Sequence, residues 1–263
     1  MILDKNKIEK LYENYNLRKY VIPDPLQFLY SYEVIADRAI VGLIASGLAY
    51  GRVAQILISI EKVLNIMGAS PSEYIQKNTI CEFRKDLDGF KHRFTTGEDV
   101  ALFLNGIKHT ISEFGSLYQC FSSFLSHNDD NIIPALTLFA DKLTQYFDDK
   151  RSYLFPSPAK GSACKRPMLF LRWMIRKDLV DIGGWDDISA SKLIIPVDTH
   201  MHQFSLKCGL TQRKNANLAT AVEITDAFKK ISPNDPVKYD FSITRFGIRN
   251  DMDVDDICVF QKN

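Results

Sequence analysis

Apolar residues recurring every three and four positions constrain this chain most, because that spacing fits one face of an α-helix and does not fit a strand. In Arg52 to Met67 the positions Val53, Ile56, Leu57, Ile60, Val63, Leu64 and Met67 follow it, and Gly68 supplies a stop. Asp37 to Tyr50 is apolar on nearly every side and carries Gly42 and Gly47, which suits a central helix that others approach closely. Val100 to Phe114, ended by Gly115, and Ile132 to Phe147 read as further helices. Asp235-Pro236 reads as the start of another, which Gly247 closes. Roughly ten helices and no convincing alternating strand make the expected fold class all-α.

With 263 residues, 46% of them apolar and 25% charged, the chain has material for a substantial core, and neither disorder nor a coiled coil fits. Its 33 basic and 32 acidic side chains leave a formal charge of +1, so any nucleic-acid footprint must be local. The five cysteines, Cys81, Cys120, Cys164, Cys208 and Cys258, stand far apart without a C-x-x-C pair. Neither a disulfide framework nor a zinc or iron–sulfur clip is legible in them. Met1-Ile2-Leu3-Asp4-Lys5 does not read as a secretion leader, and no apolar run approaches the roughly 20 residues of a membrane span. A soluble cytoplasmic protein without an obligate protein partner is the expectation.

Two stretches break the helical spacing: Asp148 to Ala163, with Pro156, Pro158 and Gly161, and Asp178 to Pro196, with Gly183-Gly184-Trp185. Between them, Lys165 to Arg176 projects as a helix with an apolar stripe of Pro167, Phe170, Leu171, Met174 and Ile175. Arg172 and Arg176 fall within about 20° of Lys165, one to each side of it, on the opposite face. Such a line of cations is either an ordinary solvated face or a phosphate seat. The turn Gly161-Ser162-Ala163, which feeds the helix start beside Lys165 and Arg166, favours the seat through its backbone N–H groups.

Ile194 to Leu210 reads as a short helix that follows Pro196, with Asp198 as its N-cap and Gly209 at its end. Capping alone accounts for Asp198 and contributes on the order of 1 kcal/mol. Asp198-Thr199-His200-Met201-His202 also resembles the D-x-H-x-H ligand run of metal-dependent hydrolases. On a helix, however, positions two apart diverge by about 200°, so His200 and His202 cannot chelate one ion. No metal and no cofactor are expected.

Gly161-Ser162-Ala163-Cys164-Lys165 before an amphipathic helix, followed by Pro196-Val197-Asp198-Thr199-His200, resembles the helix-hairpin-helix DNA glycosylase superfamily of endonuclease III and the 8-oxoguanine glycosylases. In that superfamily an L-P-G-V-G-x-K hairpin leads into a helix and a V-D-x-H segment begins a later one. Gly161 matches the first hairpin glycine, Ala163 stands in place of the second, and Lys165 and Asp198 fall on the catalytic lysine and aspartate. Tyr50-Gly51-Arg52 lies at the helix junction that in relatives reaches into the duplex gap. Lys165 to Arg176, Leu193 to Leu210 and Asp235 to Gly247 look most like a bacterial family of unknown function assigned to the superfamily. The L-P-G element and the four-cysteine cluster of endonuclease III are missing, and the wide spacing of Lys165 and Asp198 is more like that of the archaeal 8-oxoguanine glycosylases.

The resemblance implies one glycosylase-like unit over residues 1–263 with two helical lobes, residues 34–150 and residues 1–33 plus 151–263. It also implies a base-excision glycosylase with AP-lyase activity on damaged duplex DNA. Lys165 would be the nucleophile, its neutral amine favoured by the helix start and by Arg166 and Arg172, and Asp198 would accept its proton or stabilise the charge at C1′. Gly161, Ser162, Arg166, Arg172 and Arg176 would hold phosphates, and Tyr50 or Trp185 would stack on or wedge beside bases. A non-catalytic binder of DNA or RNA structures on the same scaffold is the alternative, and a metal-dependent hydrolase comes third.

Overall fold

The structure is a computed structural model that describes residues 2–148, 153–248 and 258–259. Those residues are mostly helical. Helix α1 (Lys5–Tyr15) is followed by a 3-10 turn over Pro25–Ser31, then by α2 (Ile35–Gly47), α3 (Val53–Met67), α4 (Pro71–Lys77) and α5 (Ile80–Asp86). Helices α6 (Gly97–Phe114), α7 (Leu117–Phe124) and α8 (Ile133–Leu143) complete the first half. The second half carries α9 (Lys165–Ile175), α10 (Thr199–Lys207), α11 (Leu218–Lys229) and α12 (Asp240–Ile248). Strands are two residues long. β1 (Ile2–Leu3) pairs antiparallel with β4 (Cys258–Val259), and β2 (Lys91–His92) with β3 (Thr95–Thr96).

Local signals set most of these ends. Gly68 stops α3 and Gly115 stops α6 at φ of +73° and +84°, a region where a side chain would strain the backbone. Thr96 and Asp99 close a capping box on the start of α6. Helix α2 is buried over almost its whole length. A Cβ on its Gly42 would stand 3.2 Å from the ring of Phe170 on α9, and one on Gly47 would stand 3.2 Å from the Leu154 carbonyl oxygen. Small residues there let α9 lie against α2 at close range, as the apolar surroundings of those glycines suggest.

Helix α2 packs on α3 and α4, α4 and α5 pack on α6, and α6, α7 and α8 pack on one another, while α12 packs on α1 and α10. Helix α9 therefore joins the two groups, touching α2 on one side and reaching α12 through Arg172 on the other. Around its apolar stripe Phe139, Phe155, Phe170 and Trp185 form one aromatic cluster, with Phe170 and Trp185 edge to face at 5.3 Å. Trp185 is 1% exposed, so it is a core residue and not a base-stacking one.

Two further expectations are corrected. Asp235-Pro236 does not open a helix; the chain turns there and α12 begins at Asp240. The Asp235 carboxylate still accepts the local Val237 N–H, and Arg176 also donates to both of its oxygens at 3.0 and 2.9 Å. Cys208 is disulfide-bonded, whereas Cys81, Cys120 and Cys164 are free thiols. Among the described residues no single helix is long and apolar enough to cross a membrane.

Candidate active site

Asp198 sits in extended backbone one residue before α10, and its Oδ1 accepts the Met201 N–H at 2.9 Å. Its other oxygen, Oδ2, accepts from Lys165 Nζ at 3.0 Å. One carboxylate thus caps α10 and binds the first residue of α9, so capping and chemistry are not alternatives here. The two residues lie far apart in sequence, and the fold brings them together because α9 and α10 both start at this corner. The Lys165 side chain is 35% exposed and that of Asp198 is 19% exposed. Burial would push the Asp198 carboxyl up, but the Lys165 ammonium and the Met201 N–H outweigh it and hold the group below the usual carboxylate range. The charge next to Lys165 is therefore opposite in sign, not the like charge expected from Arg166 and Arg172.

Lys165 and Asp198 line a cavity of about 390 Å³, inside the range of roughly 300–1,000 Å³ typical of ligand pockets. Its apolar walls include Pro25, Val53, Leu169, Pro196 and Phe241. Trp173, Asp240 and Arg245 also line it, and each carries a buried polar atom (Nε1, Oδ1 and Nε) without a hydrogen-bond partner among the described residues. Buried polar atoms are normally paired, and three of the ten unpaired ones among the described residues belong to side chains that line this cavity. Asp240 is 2% exposed, and burial pushes its carboxyl up to about 6 despite Arg172 beside it, with Asp198 adding to the rise. Sequence reasoning missed Asp240, Trp173 and Arg245. Asp-Phe at the start of a helix gives no sign of the carboxylate it will face. A larger and more open cleft of about 1140 Å³ lies against α11, but its Arg213 and Glu223 pair with each other at 2.6 Å on the surface.

Arg172 and Arg176 do not form a phosphate-binding face. Both side chains are 4% exposed and turned inward, where Asp181 accepts from the two of them. Asp240 completes the shell of Arg172, and Asp178 and Asp235 complete that of Arg176 at 2.8 and 2.9 Å. Burial works against both guanidinium charges, yet the neighbouring carboxylates more than hold them in place. A helical projection shows which residues share a face, but only the fold decides that the second break, carrying Asp178 and Asp181, folds over that face.

The remaining expected DNA contacts are tied into the protein to different degrees. Arg166 is half-buried, donates to the Gly47 carbonyl at 3.0 Å at the end of α2, and lies over the Tyr50 ring at 4.9 Å. Tyr50 is half-buried, its hydroxyl 2.8 Å from the His92 carbonyl oxygen and 2.7 Å from Thr95 Oγ1. Gly161 and Ser162 are exposed. Gly161 nevertheless gives its N–H to Pro158, its carbonyl accepts from Leu218, and Ser162 bridges to Asn217, so this turn is fastened to the start of α11 and the Gly161 N–H is not free for a phosphate. On α10, His200 lines the cavity while His202 is buried elsewhere, with Nε2 2.8 Å from the Arg213 carbonyl oxygen. The two imidazoles cannot share an ion. Among the described residues no group of three or more His, Cys, Asp or Glu side chains could hold a metal.

No curated protein and no solved structure matches this chain. A family model described as "Protein of unknown function (DUF2400)" matches residues 24–249. That span takes in Lys165, Asp198, Asp240 and Arg245, and over it the chain belongs to this family of unknown function.

Proposed function

We propose that the chain is a DNA base-excision glycosylase with AP-lyase activity, built on a two-lobed fold of the helix-hairpin-helix glycosylase kind and acting on damaged duplex DNA. The observation that carries this reading is the 3.0 Å contact between Lys165 Nζ and Asp198 Oδ2 at the wall of a cavity with unpartnered polar groups. A nucleotide must be extruded from the duplex to enter such a cavity, at a cost of a few kcal/mol that is smallest for damaged or mispaired bases.

The extruded nucleotide excludes water from the half-buried Lys165–Asp198 pair, which disfavours separated charges and favours transfer of one proton from Nζ to Asp198. The neutral amine then attacks the sugar at C1′ through its lone pair, and the bond from C1′ to the base breaks with its electrons moving to the base nitrogen. As the sugar ring opens, a proton moves from Nζ to the ring oxygen and an imine links Lys165 to the DNA. In this order of events Asp198 serves as the base for Nζ; where it stays ionised it serves instead by stabilising the positive charge that grows at C1′.

Borohydride reduces an imine to a stable covalent link. Wild-type protein incubated with an abasic-site duplex and borohydride should form a crosslinked species, and Lys165→Ala should form none. If wild-type protein is never trapped and releases no base from duplexes carrying single lesions, the non-catalytic binder is the better reading.

A further inference from the structure

The expulsion of a base from C1′ leaves an electron pair on the base, and the mechanism above assigns no group to neutralise it. A second carboxyl group stands in the same cavity. Asp240 is 2% exposed, is held at Oδ2 by Arg172, and has no hydrogen-bond partner for Oδ1 among the described residues. A buried carboxylate oxygen with no partner carries a large desolvation cost, which a proton or a bound ligand removes.

The charges around it favour the proton. Arg172 and Arg176 are two guanidinium groups facing four carboxyls, Asp178, Asp181, Asp235 and Asp240. The other charged groups near Asp240 are Lys165 on α9, Asp198 and His200 at the start of α10, and Arg245 on its own helix paired with Asp24. On the side of α1, Glu9 is taken up by Lys238 at 2.8 Å and by the Tyr239 hydroxyl. Of the four carboxyls facing the two arginines, only Asp240 lines the cavity.

We propose that Asp240 is the general acid of this site, delivering a proton from Oδ1 to the departing base while Arg172 holds Oδ2. The inference rests on the glycosylase reading and deepens it. The bond from C1′ to the base nitrogen breaks, its electron pair stays with the base, and the Asp240 proton neutralises it. Lys165 supplies the electron pair for the new bond at C1′, and Asp240 reloads from solvent once the base has left. The arrangement resembles other acid–base sites in that two carboxyls in one cavity are pushed in opposite directions, Asp198 down and Asp240 up.

Asp240→Asn keeps the size of the side chain and an oxygen for Arg172, but has no acidic proton. The two steps can be read separately, because an abasic-site duplex has no base to expel. Asp240→Asn should be trapped by borohydride on that duplex within a few-fold of wild type. It should release base from duplexes bearing uracil or 8-oxoguanine, whichever wild type cleaves fastest, at least about 100-fold more slowly, as expected for loss of a general acid. Under single-turnover conditions the wild-type rate should fall as pH rises through about 6, and the residual rate of the variant should not. Equal losses of trapping and base release would show a merely structural role, and unchanged base release would overturn the proposal. Trapping without base release from any of these duplexes by wild type would count against the general acid while leaving the Lys165 chemistry standing, whereas no trapping at all would defeat the glycosylase reading itself.

Discussion

Lys165 and Arg176 lie on the same line of the same helix, yet the fold puts them to opposite uses. Lys165, at the first position of α9, is one-third exposed and has a single hydrogen-bonded partner across a cavity. Arg176, just past the end of α9, is enclosed by three aspartates, and Arg172 one turn earlier by two. Two chain segments, at Asp178 to Asp181 and at Asp235 to Asp240, cover the C-terminal half of the helix face and leave its start open. A line of like charges on a helix is therefore one motif only in projection. Position along the axis, relative to the segments that fold over it, separates a structural ion network from a chemically available amine.

The largest effect that would sharpen this contrast is on stability. Removing one member of a buried ion network leaves its partners charged and uncompensated, which typically costs about 3–5 kcal/mol. Arg176→Ala strands Asp178 and Asp235 and leaves Asp181 with Arg172 alone, so its unfolding free energy should fall by that amount, read as a lower urea midpoint with the slope unchanged. If Arg176→Ala instead unfolds with wild-type stability and weakens DNA binding and its salt dependence, the guanidinium is an exposed phosphate contact and the two ends of α9 are alike after all.

A smaller effect should appear in the pH dependence, with opposite signs for Asp240 and Asp198. The Asp240 carboxyl is raised to about 6 in the folded chain from 3.8, so the native state holds a proton that the unfolded chain releases. That contribution is complete below the unfolded value and is lost as pH rises through about 6. Asp198 is lowered, so its contribution is present above the unfolded value and disappears only as pH falls through the lower one. Comparing urea unfolding of wild type and Asp240→Asn at pH 4.5 and pH 7, the advantage of wild type should shrink by about 2 kcal/mol at the higher pH. A difference that does not change with pH would mean that Asp240 is ionised throughout.

Much of this was readable before any coordinates, and the reasons differ from residue to residue. The ends of α3 and α6 follow from Gly68 and Gly115, and the start of α10 follows from Asp198, because each is decided by neighbours in sequence. The candidate pair of Lys165 and Asp198 was found through a family resemblance; helical spacing alone gave only a capping role for the aspartate. The inward turn of Arg172 and Arg176 was not legible, since their partners lie between the end of α9 and the first residue of α12 and obey no periodicity. Asp235-Pro236 carries every local mark of a helix start, and its carboxylate does accept the local Val237 N–H beside Arg176, but the chain only turns before α12. Long-range ion pairs decided the inward turn of Arg172 and Arg176, and Asp240 was hidden for the same reason.

The smallest stability effects should belong to the pair that carries the chemistry. Lys165 and Asp198 are partly open to solvent, and ion pairs of that kind contribute between zero and about 1 kcal/mol once screening and side-chain ordering are counted. Lys165→Ala should therefore leave the unfolding midpoint close to that of wild type while abolishing borohydride trapping. Asp198→Asn should change stability even less, because asparagine caps a helix nearly as well as aspartate and Oδ1 still accepts the Met201 N–H. Its trapping rate should nevertheless drop steeply, since an amide can neither take the Nζ proton nor stabilise positive charge at C1′. A pure cap predicts trapping preserved in Asp198→Asn, whereas both readings predict lost stability in Asp198→Ala. Calorimetry and trapping on the same three variants separate the two, because stability responds to the bond with Met201 and reactivity to the bond with Lys165.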